Sequence, residues 1–300
     1  MTPVLYHYPM SPYSENLRLA MGLSGIAWAS IQVSPQPPRG TLDQILGGYR
    51  RIPVLQRGAH FYCDTRLAVE ALHDDDPSVT QLDADDEALR DWAEREIFFA
   101  VFSVVSPITV LAFLARQLGL LGVVRFTRDR MHMMRNATLD VLTAEQAREA
   151  VQEFIAHLGV RLSASLYLSG KQPGYLDLCC YHPLWMACQI DRRVASPWPP
   201  IVSRWMRRMD ALGHGEVLPV TWDRALQDIA ENQSVVAGVI AEPYRAGESI
   251  GVAPSDYARD ETAGELVRLD TNRIVISRTL ESGNVIYVHF PRKGSDLGRL

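Results

Sequence analysis

Apolar positions near the start of the chain change their spacing from that of a strand to that of a helix. Val4–Tyr8 is a short apolar run that reads as a strand. Pro9 breaks it, and Ser11-Pro12 heads a helix to about Leu23 with Leu17, Ala20 and Met21 on one side. A serine hydroxyl can cap the first free N–H groups, and proline suits the first helical position. Ser24-Gly25 closes that helix. Ala27–Val33 reads as a second strand, Ser34–Gly40 as a loop, and Thr41–Leu46 as a short helix ended by Gly47-Gly48. Arg50–Gln56 and His60–Cys63 form a hairpin around Gly58, and Asp64-Thr65 then opens a helix over Arg66–His73. The predicted order is β-α-β-α-β-β-α, parallel at first with an antiparallel hairpin at the edge. Pro53 heads a strand that should be central, where proline is normally excluded, so a cis Ile52–Pro53 peptide is expected.

Asp74–Glu87 is acidic, contains Pro77 and reads as a linker without a binding role. Helical periodicity resumes at about Asp85. Ile97–Ala115 carries no charge and is long enough for a membrane span. Pro107 and the charged lead-in Arg90–Glu96 point instead to a kinked core helix, of a kind that also makes subunit interfaces. Arg125–Arg135 reads as a solvated basic face over Met131, Met133 and Met134. Thr143–Ser165 is amphipathic, and Gly174–Asp177 opens the apolar run Leu178–Ile190 with Asp177 in its first turn, where the helix dipole favours a carboxylate. Pro199–Leu212 is a further helix with Trp205 and Met209 inward. After His214 the pattern turns to strands at Gly264–Leu269, Arg273–Ser277 and Val285–Phe290, a small β appendage expected on the helical half. The resulting division is 1–75, a linker over 76–86, a helical domain over 87–214 and an extension over 215–300.

Composition alters this picture little. The hydrophobic share of 47% and charged share of 22% are ordinary for a soluble globular chain. A net charge of −5 offers no support for a nucleic-acid partner. No basic segment followed by an apolar run opens the chain, so the cytoplasm is the expected compartment. The cysteines, Cys63, Cys179, Cys180 and Cys188, form no C-x-x-C pair and read as reduced, buried thiols. The histidines form no H-x-x-x-H pair, and no metal site is expected.

The candidate chemistry lies at the first helix start. Such a terminus gathers partial positive charge, and a hydroxyl there can face a thiolate. Ser-Pro-Tyr-Ser at 11–14, Ile52-Pro53, Asp64-Thr65 and an all-helical half, in this order, resemble the cytosolic glutathione transferase family from about Val4 to Leu212. The resemblance implies a thioredoxin-like domain that holds glutathione as cosubstrate and an all-α domain that supplies most of the pocket for an electrophile. It implies Ser11 as the thiolate-stabilising hydroxyl, with Tyr13, Ser14, Arg51, Ile52, Pro53, Asp64 and Thr65 contacting glutathione. Ile52 would pair with the cysteinyl backbone, Asp64 and Thr65 would receive the γ-glutamyl end, and Arg51 is placed for the glycyl carboxylate. Gly174 stands where the family's capped helix usually has serine or threonine. A homodimer is implied as well.

The residues agree with this chemistry. A free thiol has a pKa of about 8.5, and a hydroxyl donor at a helix N-terminus lowers it. Two serines cannot form the mixed disulfide that Cys-Pro-Tyr-Cys would, which excludes thiol–disulfide exchange at this site. Cys63, beside Asp64, reads as a packed residue. Tyr6, Tyr8 and Tyr13 are rival donors, with Tyr6 and Tyr8 expected on opposite strand faces. Ser11 as a mere helix cap, a glutathione-dependent isomerase or ether- or halide-cleaving enzyme, and a non-catalytic scaffold are the alternatives.

Overall fold

The computed structural model describes residues 1–138, 142–232 and 238–300. The chain begins in the predicted order: β1 (Val4–His7), α1 (Pro12–Ser24), β2 (Trp28–Gln32), α2 (Thr41–Leu46), β3 (Val54–Arg57), β4 (His60–Tyr62) and α3 (Thr65–Leu72). β1 and β2 pair in parallel, with Tyr6 beside Ile31, and β3 runs antiparallel to both β1 and β4. Ser11 caps α1, accepting the Ser14 N–H at 3.2 Å, and Pro12 takes the first helical position. Gly25 closes α1 at φ 63°, a conformation that a side chain disfavours. The Ile52–Pro53 peptide is cis.

Asp74–Glu87 is not an open linker. Pro77–Thr80 forms a 3-10 turn and Asp83 caps α4 (Ala84–Asp91). Thr80 is fully buried, its hydroxyl donating to Glu70 at 2.7 Å, and Arg66 reaches Glu87 at 2.6 Å. These polar anchors hold the crossing between the two halves.

The charge-free stretch also departs from expectation. α4 runs on through a π-helical turn, Trp92–Ile97, into the short α5 (Phe98–Ala100) and a 3-10 turn, Val101–Ser103. A single kinked core helix does not form. Pro107 disfavours helical geometry in the residue before it, Ser106 sits at ψ 134°, and a new helix, α6 (Pro107–Met134), starts there. Gly119, at φ 70° and ψ 166°, breaks α6 into two arms. Phe113, Val123 and Met133 face inward, while Ile108 (79% exposed) and Leu120 (80%) face out. By length and composition α6 is apolar enough to cross a membrane. Arg125, Arg128 and Arg135 are exposed, as expected of a basic face, but Met131 is exposed with them rather than packed beneath.

α7 (Ala144–Ala164), α8 (Tyr175–Ile190) and α9 (Pro200–Asp210) complete the helical half. α1 packs on α8, and Leu17, Met21 and Leu67 share one core with Ile97, Phe154, Leu158 and Trp205.

The C-terminal strands are more extensive than expected and attach elsewhere. After β5 (Val217–Leu218) and α10 (Trp222–Glu231) come β6 (Ser249–Pro254), β7 (Thr262–Leu269), β8 (Arg273–Thr279), β9 (Val285–Pro291) and β10 (Ser295–Arg299). They do not sit on the helical half. β9 pairs in parallel with β4, Phe61 beside Val288, and the described strands form one sheet in the order β10-β6-β7-β8-β9-β4-β3-β1-β2-β5. An unpaired β4 would expose a row of backbone donors and acceptors, which β9 covers. α10 packs beneath, its Ala225 and Ile229 sharing a second core with Tyr6, Phe61, Ile274 and Val288. Gln56 pins this junction, accepting from the Tyr6 hydroxyl at 2.5 Å and donating to the Ala225 carbonyl at 2.9 Å.

Candidate active site

Two cavities meet where the sheet, the helical half and the C-terminal strands converge. One is polar, about 280 Å³, with Ile52, Pro53, Asp64 and Thr65 on one side. Arg90, Asp91, Glu94 and Arg95 line it from the helical half, and Asp256, Tyr257 and Lys293 from the C-terminal strands. The other is apolar, about 440 Å³, between Met10-Ser11-Pro12, the phenylalanines 98, 99 and 102, and both arms of α6. Tyr13, Arg51, Ile52, Phe99 and Tyr257 line both cavities.

Local rules set much of the polar cavity. Asp64 caps α3, one carboxylate oxygen accepting the Arg66 and Leu67 N–H groups at 2.9 and 3.1 Å. That leaves its other oxygen and the first turn of α3 for a ligand. Ile52 makes no backbone hydrogen bond among the described residues, so its N–H and C=O can pair with an extended peptide. Ser11 lines the apolar cavity and is 1% exposed. Its oxygen accepts the cap bond, and its own proton remains free to donate.

Two expectations are corrected. Ser14 lines neither cavity and is fully buried, because it lies roughly 100° around the helix from Tyr13. Arg51 lines both cavities while also donating to the Asp256 carboxylate and to the Tyr257 carbonyl. Tyr6 and Tyr8 pack toward the same core, as the two-residue period of a strand requires.

The rival hydroxyls separate accordingly. Tyr6 is bonded to Gln56 and lines neither cavity, and burial pushes its phenol up. Tyr13 donates to the Glu94 carbonyl at 3.0 Å, and burial holds its phenol well above the usual range. Tyr8 stays at the apolar cavity. Burial, with Asp64 beside it, pushes the Cys63 thiol up, as expected of a packed cysteine.

Charge at the wall is also tuned by burial. It lifts the Glu94 carboxyl above its ordinary range against the pull of Arg90, which reaches Glu94 at 2.8 Å. His182, fully buried on α8, is pushed down to about 3 by desolvation, and neither ring nitrogen has a hydrogen-bond partner among the described residues. It lies 3.9 Å from Glu94, and with its ring neutral that contact is not an ion pair.

Sequence reasoning missed Glu94, Asp256, Tyr257 and Lys293. Glu94 looked like part of a charged helical lead-in, and the other three come from a region with no pattern pointing toward the N-terminal domain.

Residues 5–79 match the family described as glutathione S-transferase, N-terminal domain. Residues 5–79 therefore form a glutathione S-transferase N-terminal domain, and the fold of the whole chain is that of a GST-like protein. It is similar throughout to a GST-like protein from Pseudomonas syringae of known crystal structure, at 26% identity over 99% of both chains and a TM-score of 0.76. FzlA from C. crescentus is 17% identical over 70% of this chain and 88% of its own, with a TM-score of 0.47. A glutathione S-transferase domain-containing protein from Marinobacter aquaeolei VT8 is 18% identical over 69% and 97%, at 0.48. No curated protein matches the chain by sequence.

Proposed function

We propose that the protein binds glutathione in the polar cavity, holds its thiol ionised beside Ser11 and presents it to a small apolar electrophile in the adjoining cavity. The observation that carries this is the junction itself. Ile52, at the cis-proline, lines both cavities, Asp64 and Thr65 lie on the polar side, and Ser11 lies at the head of α1 on the apolar side. A peptide paired to Ile52 with its γ-glutamyl end at Asp64 would send its thiol toward the apolar cavity. There the hydroxyl and the positive end of α1 favour the thiolate, and holding both reactants together removes much of the entropic barrier.

Thiolate absorbance of bound glutathione, titrated against pH, tests this. The wild type should ionise below the free thiol's value of about 8.5. Ser11→Ala should return the midpoint by about one unit, equivalent to ~1.4 kcal/mol, and lose ~1 kcal/mol of stability with the cap. An unshifted midpoint in Ser11→Ala moves the donor role to Tyr8 or backbone N–H groups. Absence of binding leaves a scaffold.

We further propose that two copies associate through α6. Its outward face carries exposed Ile108, Leu111, Leu120, Leu121, Val124 and Met131 among Arg116, Arg125 and Arg128. An apolar patch of this kind is a marker of association. Sedimentation should give twice 33.6 kDa, with Leu120→Glu/Leu121→Glu returning it to that mass. A wild-type monomer at every concentration would remove the idea.

A further inference from the structure

The C-terminal strands bring a further hydroxyl to the junction of the two cavities. Tyr257 lies in the loop between β6 and β7 and lines both. The loop is held at several points. The Ala258 N–H donates to the Met133 carbonyl at 2.9 Å, and the Thr138 N–H to the Asp256 carbonyl at 2.8 Å. Arg51 binds the Asp256 carboxylate and the Tyr257 carbonyl. Its guanidinium carbon stands 4.0 Å from the Tyr257 ring centroid, and Phe99 packs edge-on at 5.7 Å.

The ring is thus fixed from several directions while its hydroxyl makes no hydrogen bond among the described residues. Tyr13 already donates to the Glu94 carbonyl, and the Ser11 proton is taken by the thiol in the proposed complex. Burial, opposed by Arg51, keeps the phenol protonated and so a donor. Preorganised donors of this kind act on charge that appears only in the transition state.

We propose that Tyr257 is a catalytic residue whose hydroxyl donates a hydrogen bond to the oxygen on which charge gathers as the thiolate attacks an apolar electrophile. This role rests on the glutathione reading above. With a conjugated enone the sulfur lone pair forms the C–S bond at the β-carbon. The C=C pair shifts to become the new C=C bond of an enolate, and the C=O pair moves onto oxygen, where Tyr257 holds it. A proton from solvent at the α-carbon completes the adduct and replaces the one the thiol released on ionising.

Tyr257→Phe removes only the hydroxyl and keeps the ring against Arg51. With glutathione and 4-phenyl-3-buten-2-one, kcat should fall on the order of a hundredfold. KM for glutathione and the midpoint of its thiolate titration should stay at the wild-type values. An unchanged kcat overturns the role, as does a wild type that leaves the enone unreacted. A thiol midpoint that rises in Tyr257→Phe also overturns it, because the hydroxyl then serves the sulfur. If wild-type protein binds no glutathione, the reading of the polar cavity falls and this role falls with it. Binding with an unaltered kcat removes Tyr257 alone.

Discussion

Asp177→Ala is expected to cost about 4 kcal/mol of folding stability, the largest loss we foresee from a single side chain. Asp177 is fully buried in the first turn of α8. One carboxylate oxygen accepts the Leu168 N–H at 2.7 Å and the Trp205 indole N–H at 2.8 Å. The other accepts the Ser169 N–H at 3.0 Å and the Gly174 N–H at 3.1 Å. It therefore ties the incoming loop, the head of α8 and the buried face of α9 into one unit. Gly174 stands at the cap with no side chain, so only the reach back from Asp177 to the Gly174 N–H joins the cap to the first turn. Truncation leaves four buried donors without partners, each worth about 1–3 kcal/mol but not additive. Domains of this kind are stable by only about 5–15 kcal/mol, so the variant should be close to unfolding. Urea denaturation followed by tryptophan fluorescence would measure this, Trp205 being a direct contact. A loss below about 1 kcal/mol would mean that water satisfies these donors.

Acid should destabilise the fold well before its carboxylates titrate. Burial holds His7 at about 4 and His182 at about 3, and it lowers His60 and His289 as well. Each ring is neutral in the folded state at pH values where the unfolded chain, near 6.5, already takes up protons. The unfolded state then binds more protons, so stability is complete above about pH 6.5 and falls as the pH drops below it. Each histidine contributes up to ~1.4 kcal/mol per pH unit in that window. Neighbouring cations reinforce this, against Glu15 beside His7 and Asp75 beside His60. Arg18 donates toward His7 at 3.0 Å, and His289 meets His60 at 2.9 Å with Arg273 and Arg268 near. Glu94, whose carboxyl is raised, works in the opposite direction at lower pH and softens the slope. Equilibrium unfolding at a series of pH values should show the decline. His182→Phe should flatten it by about one histidine's share, at little cost near pH 8, since the ring nitrogens of His182 make no bonds. Stability that stays level down to about pH 5 would contradict the account.

The chain by itself determined the elements whose causes lie within a few residues. Ser11-Pro12 starts one helix and Gly25 ends it, Asp64 caps another, and short apolar runs make the first strands. Each is a contact between near neighbours in sequence, and so is readable there. The order of Ser11, Ile52-Pro53 and Asp64-Thr65 was enough to suggest the family and one side of the site. Only the tertiary structure decided the rest. β9 closes on β4 across more than two hundred residues, placing the C-terminal strands on the N-terminal sheet instead of the helical half. Exposed backbone at that edge can be met by any apolar strand, and no local pattern says which. The same long reach brings Asp256 to Arg51 and Tyr257 to the cavities. α6 shows the limit from the other side: its composition suits a core, a membrane or an interface alike. Which face is buried follows from the break at Ser106-Pro107 and from what packs against the two arms, since burial belongs to the assembled fold and not to the segment.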